Sequence, residues 1–431
     1  MDYRKYKMDK KKSLWITLSL VNLSIAAFFG LSLRTKYLFP IPFINYRDFI
    51  SAHSHFAFGG WVALAFLTLY TYYLLPEKFR QKNIYQVALW SIELTALGMA
   101  VTFPVQGYSL LAIILSTLFI FATYLYSYIF IRDIWRSGQR PVVIWLSVSA
   151  QICMVISSIG PYILAYILAT KSNNSILYRD AVYIFLHFQY NGFFTLSVFA
   201  LLFNKALPYA DANTQKWIRW FALFLCASVI PALFLSLLWH PHNLAIISLS
   251  IIGCGLIILS IVTFFMFIKN VWQKTPFSYP LAKTFFLFSM IAFTIKMALQ
   301  MGTVIPSLGN AVFGYRPIII GFLHLVFLGF VSFYILSSYM ESHMFTHKLS
   351  KPALILFAIA IILNETVLLV QGIGLLFSTT SHIYAWLLWA VAILLFTGAV
   401  LILAARLQSR RQIIANKKVM DGAMTVDKKS I

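Results

Sequence analysis

Acidic residues are scarce in this chain. Only 12 Asp and Glu stand against 34 Lys and Arg in 431 residues, and charged residues make up 11% of the whole. Cysteine is scarcer still: Cys153, Cys226 and Cys254 are the only three and form no CxxC pairing, which argues for neither a disulfide framework nor a zinc site. Long polar stretches are missing too, so no soluble domain can be carved out. What is abundant is apolar surface. With 61% hydrophobic residues and a mean hydropathy of +0.82, the chain carries far more of it than one globular core can hide. The class implied is an all-α polytopic membrane protein.

Windows of about 20 apolar residues predict twelve spans, near 13–33, 52–76, 86–106, 109–132, 141–170, 181–204, 217–239, 243–268, 279–301, 317–340, 351–377 and 384–405. Residues 1–406 form a single transmembrane domain and 407–431 a basic cytoplasmic tail. The first span follows RKYKMDKKKS and lacks a small-residue cleavage site, so it reads as a retained helix rather than a signal peptide. No internal repeat is visible. The net charge of +22 could suggest nucleic acid, but its placement says otherwise. Of the 34 Lys and Arg, 27 lie in the two ends and in alternate loops; the other side has only Arg34, Lys36, Arg47, Lys171, Arg179 and Arg316, with Lys296 inside a span. This asymmetry predicts a multi-pass protein of the inner (cytoplasmic) membrane with both termini cytoplasmic. Its basic loops meet the lipid bilayer, not nucleic acid.

With that topology, six of the nine histidines share one layer near the outer third of the bilayer. His53 and His55 open span 2, His187 lies near the outer start of span 6, His240 and His242 end span 7, and His324 is one to two turns into span 10. A single membrane histidine is as often hydrogen-bonded to a neighbouring helix as it is a ligand. Four segments delivering imidazoles to one depth point instead to a buried metal or haem, because neutral imidazole is a common ligand and costs less in lipid than a carboxylate.

The order of these histidines, with the motifs around them, resembles subunit I of the haem–copper oxidase superfamily, and its nitric-oxide reductase branch most. In span 2, His55, the pair Tyr72 and Tyr73, and Pro76 with Glu77 match that branch. The match selects His55 over His53, which lies roughly 200° away on a helix. LHFQYNG around His187 and WHPHN with His240 and His242 resemble the segments that hold the family's second metal, with Asn191 replacing a glutamate and Pro241 separating the last two histidines. Span 10 departs from the pattern: GFLHLVFLGF keeps His324 but has Phe322 where the family places the ligand of its reactive haem. The resemblance therefore implies one low-spin haem b held by His55 and His324, and a copper or non-haem iron site at His187, His240 and His242. A looser similarity is to NnrS-type haem- and copper-containing membrane proteins associated with nitric-oxide stress, whose early His-x-His fits His53 and His55.

Haem carboxylates need cations. Arg316 and Lys296 are the first two expected partners, with Arg34, Lys36 and Arg47 as helpers, although Lys296 could equally snorkel to the interface. Glu93 and Glu365 are the only acids well inside spans, and each is either a proton relay or a neutral hydrogen-bonded group. The resemblance implies respiratory electron transfer or oxygen or nitric-oxide chemistry, fed by a quinol or cytochrome donor among respiratory subunits. The alternative is a non-enzymatic haem protein for nitric-oxide response. With Phe322 at the reactive position, oxygen reduction is not expected.

Overall fold

The computed structural model describes residues 9–240, 243–379 and 381–427; for Ala311 and for 415–427 it describes the backbone alone. The described residues form helices and no strands. Twelve of the helices or helix runs are long and apolar enough to cross a membrane: Lys10–Leu38, Tyr46–Leu74, Asn83–Gln106, Leu110–Trp135, Pro141–Ala169, Ser175–Tyr209, Ala212–Leu237, Leu244–Lys274, Pro280–Gly302, Arg316–Glu341, Ser350–Leu376 and Ile383–Ile414. They are numbered here as spans 1 to 12. The protein is an all-α polytopic membrane protein.

Local chemistry sets where spans begin. Side chains of Asp9, Asn45, Ser109, Asn174, Asp211 and Asn243 accept from otherwise free N–H groups at the starts of spans 1, 2, 4, 6, 7 and 8. Pro141, Pro280 and Pro317 occupy the first turns of spans 5, 9 and 10, where a missing N–H costs nothing. The cap at Asn45 starts span 2 at Tyr46, six residues before the expected 52. His53 and His55 consequently lie about two turns inside the helix rather than at its mouth. Span 12 also outruns its expected end, because its helix continues to Asp427 through most of the basic tail.

Lipid tails remove most of the hydrophobic gain of helix association, so close packing and interhelical hydrogen bonds hold the bundle together. Span 12 packs on both span 11 and span 1. Spans 2 and 6 are innermost, 83% and 78% buried along their apolar windows against 28% for span 4. Asn22 ties three spans together, donating 2.8 Å to the Gly60 carbonyl and 2.7 Å to Glu93 Oε2. Trp61 Nε1 donates to Ser332 Oγ at 3.0 Å, joining spans 2 and 10. Bonds of this kind contribute about 0.6 kcal/mol each on average.

Spans 2, 6 and 10 share a further feature. Each widens into a π-helical stretch, Phe56–Ala63, Phe188–Phe194 and Leu325–Ser332, that starts on the residue after a histidine: His55, His187 and His324. Such stretches insert a residue into the helical register and recur at functional sites. The register shift is visible where the Leu64 N–H bonds the Gly59 carbonyl five residues back. One phenylalanine from each stretch meets the others in the bundle interior: Phe58 lies 4.3 Å from Phe327 and 5.9 Å from Phe194, and Phe194 lies 5.3 Å from Phe327, centroid to centroid.

Three acids are paired with lysines at the face where span 1 begins and span 12 ends. Lys82 holds Asp133 at 2.8 Å, Lys205 holds Glu341 at 2.7 Å and Lys274 holds Asp211 at 2.7 Å. Of the histidines expected to bind cofactors, His55, His187, His240 and His324 lie toward the opposite face.

Candidate functional site

The site is built from the histidine turns of spans 2 and 10 and the far end of span 1. His53 sends its Nδ1–H to the Ala26 carbonyl on span 1, at 3.0 Å. His324 sends its Nδ1–H to the Ile320 carbonyl one turn back, at 2.8 Å. A carbonyl can only accept, so both rings are fixed as Nδ1–H tautomers with the lone pair on Nε2. Neither Nε2 has a hydrogen-bond partner among the described residues. The two rings and the Arg34 guanidinium interact electrostatically. Gly30 makes room for this approach: a Cβ there would lie 3.3 Å from His53 Cε1.

His55 turns the other way, as a two-residue step on a helix requires. Its ring stacks on Phe103 of span 3, 4.7 Å between centroids and 11° between planes, and its Nε2 meets the Tyr108 hydroxyl at 3.1 Å. The expected pairing of His55 with His324 is therefore not the arrangement found. Of the two, His53 lies on the face of span 2 turned toward spans 1 and 10.

Arg34 makes no hydrogen bond or ion pair among the described residues; beyond the two histidines, its electrostatic neighbours are Tyr37 and Tyr46. Arg316, also without a hydrogen bond or ion pair there, lies 5.9 Å from the Tyr46 ring. Two guanidinium groups thus share Tyr46 as an electrostatic or ring neighbour, with no acid paired to either among the described residues. The neighbouring half of span 10, Arg316–His324, has no buried residue. Lys36, by contrast, is taken by the Ile41 carbonyl at 2.6 Å.

The expected copper ligands are not brought together in this way. His187 is fully buried, and both its nitrogens are used: Nε2–H donates to the Val229 carbonyl at 2.7 Å, and Nδ1 accepts from Asn191 at 3.0 Å. His240 donates from Nε2 to both oxygens of Asp180 at 3.0 Å, its ring 4.1 Å from that of Trp239. His242 and Pro241 lie outside the described residues. Among the described residues, no group of three or more His, Cys, Asp or Glu is placed to hold a metal ion.

Lys296 neither snorkels nor joins the arginines. It is completely buried, donating to Thr195 Oγ1 at 3.1 Å and lying 6.0 Å from the Tyr190 ring. With Asn191 and Gln300 it borders a void of about 10 Å³, near the size needed for one water. Glu93 is bound by Asn22, and Glu365 accepts from Asn364 at 3.0 Å. Asp180 and Tyr108 give no signal in the sequence, since an acid and a tyrosine at helix ends carry no pattern of their own.

Neither a family model nor a curated protein matches the sequence.

Proposed function

We propose that the chain is a haem b protein of membrane electron transfer, with the haem held between spans 1, 2 and 10 by His53 and His324. The observation that carries this reading is the shared state of those two rings: each has Nδ1–H pinned to a backbone carbonyl and Nε2 left free. Carbonyl acceptors of this kind fix the orientation of a metal-binding imidazole and raise its basicity. Arg34 and Arg316, cations without paired acids, suit the two carboxylates of the macrocycle. The half-buried Phe58 and Phe327 pack on each other within a few residues of these histidines and would offer apolar surface to the macrocycle.

When bound, such a haem would supply a one-electron iron couple, with His53 and His324 as the residues that would hold it. The chain's residues orient the iron ligands, neutralise the carboxylates and keep the slot dry. The histidine order resembles that of haem–copper oxidase subunit I, and on this reading the protein sits in an inner membrane with both termini cytoplasmic, next to a membrane electron donor. A copper centre is not part of it, because His187 has no nitrogen to offer without breaking a hydrogen bond and no group of three or more metal-binding side chains forms among the described residues. Nor is oxygen reduction, because Phe322 cannot ligate iron.

Protein purified after haem-supplemented expression should hold about one haem per chain, show a low-spin b-type reduced-minus-oxidised spectrum, and change little with carbon monoxide. A folded protein that stays haem-free, or a haem that binds carbon monoxide stoichiometrically, would overturn the proposal.

A further inference from the structure

On the other side of span 10 lies a cleft of about 840 Å³, walled by spans 6, 7, 9, 10 and 11. Spans 9 and 11 scarcely touch, so the wall between them is open. The residues at that opening, Ile295 and Leu299 on span 9 and Ile362, Leu369 and Ile373 on span 11, line the cleft and are also exposed on the outside of the bundle. In a bilayer that exterior is hydrocarbon. The volume falls within the range of small-molecule sites, which are apolar with a few polar groups.

Its polar groups narrow the occupant. Among the described residues, no Lys, Arg, His, Cys or Met lines the cleft. A haem would find no imidazole, thiolate or thioether, since Phe322 is the residue facing in, and an anionic headgroup would find no cation. Glu365 offers a carboxyl that shares only one oxygen, with Asn364. Gln300 borders the cleft from the far side, buried, with neither its amide nitrogen nor its oxygen hydrogen-bonded among the described residues. Both atoms are closed off from the cleft, so it is Glu365, whose carboxyl can donate from one oxygen and accept at the other, that suits a ligand with a carbonyl or hydroxyl.

We propose that this cleft takes up, sideways from the bilayer, a neutral lipid-soluble molecule with a carbonyl or hydroxyl head. The head is recognised by Glu365 and the apolar body packs against Phe322, Ile318 and Leu369. Two sources share that chemistry, a prenylated quinone and a neutral glyceride.

The test is photolabelling of the full chain in nanodiscs with three probes: a benzoquinone carrying a photoreactive decyl tail, a diazirine monoacylglycerol and a diazirine alkyl-trimethylammonium. Gly372→Phe fills the cleft, because a Cβ at Gly372 would meet only Ile318 Cγ1, at 3.6 Å. The neutral probes should label residues of spans 9 to 11, at least about tenfold less in Gly372→Phe. Glu365→Leu should reduce labelling about fivefold. Labelling by the quinone alone assigns that source, and labelling by both neutral probes assigns a general neutral-lipid site. Should Gly372→Phe not fold, Gly321→Leu serves, since its Cβ would meet only Leu368 Cβ at 3.5 Å. No labelling by either neutral probe, labelling unchanged by filling the cleft, or preference for the cationic probe would overturn the proposal. The readout uses no haem absorbance, so it fails or succeeds independently of the haem reading.

Discussion

Two pairs of histidines at similar depth differ in what their nitrogens are doing. His53 and His324 each spend Nδ1–H on a backbone carbonyl and leave Nε2 free. His187 spends both nitrogens, and His240 is clamped by Asp180. The first pair keeps free lone pairs and interacts electrostatically with Arg34, which has no acid paired to it among the described residues. In the second, His187 is already satisfied by protein, while His240 gives Nε2–H to Asp180 and keeps Nδ1 without a partner among the described residues. Depth in the membrane makes a histidine a candidate ligand, but an uncommitted lone pair is what makes it an available one.

Substitutions separate the two pairs most sharply. His53→Ala or His324→Ala should abolish the low-spin form, read as loss of its reduced-minus-oxidised spectrum. His187→Ala should keep that spectrum while lowering thermal stability, because it strands the Val229 carbonyl and the Asn191 amide at about 1–3 kcal/mol each. Loss of haem in His187→Ala with an unchanged melting temperature would merge the two classes.

Next in size is the cation pair. Arg34→Gln should weaken haem affinity about 10- to 150-fold, the cost of about 1.5–3 kcal/mol for a charge-assisted hydrogen bond, whereas Lys296→Met should leave affinity unchanged. Haem titration into apoprotein measures both, and equal effects would show that Lys296 belongs to the haem site after all.

The fully committed His187 also sits in tighter packing. Gly192, on the π-helical stretch that follows His187, has no room for a side chain, because a Cβ there would run into Cys153 Cβ and Sγ on span 5. Gly192→Ala should therefore cost about 1–3 kcal/mol, recovered in part by adding Cys153→Gly. A melting temperature indifferent to both changes would contradict that packing.

The smallest effect lies outside the membrane. The Lys274 ammonium, with Thr214 and Asn270, holds the Asp211 carboxyl below its ordinary value of 3.8. A depressed carboxyl contributes stability above that ordinary value and loses it as pH falls further. Asp211→Asn should slightly flatten the acid limb of a stability–pH profile and leave neutral pH almost unaffected, because the pair is exposed.

The twelve spans are legible in the sequence because length and apolar composition report directly on a bilayer. That His55, His187, His240 and His324 fall toward one face of the bundle is legible too, since successive spans run in opposite directions. Choosing between His53 and His55 is not. That choice depends on which face of span 2 meets spans 1 and 10, which the motif match around His55 does not report. The commitment of His187 is hidden too, since its acceptor is a backbone carbonyl on span 7, 42 residues away. The π-helical turns after His55, His187 and His324 leave no compositional mark beyond glycine and phenylalanine.

Haem titrations of the His53→Ala and His55→Ala apoproteins decide which of the two histidines holds the iron. With His53 as the ligand, His55→Ala binds haem with the low-spin spectrum of the parent chain, while His53→Ala binds none or gives a five-coordinate form open to carbon monoxide. Haem lost in His55→Ala and retained unchanged in His53→Ala would make His55 the ligand instead and remove the basis for the site between spans 1, 2 and 10.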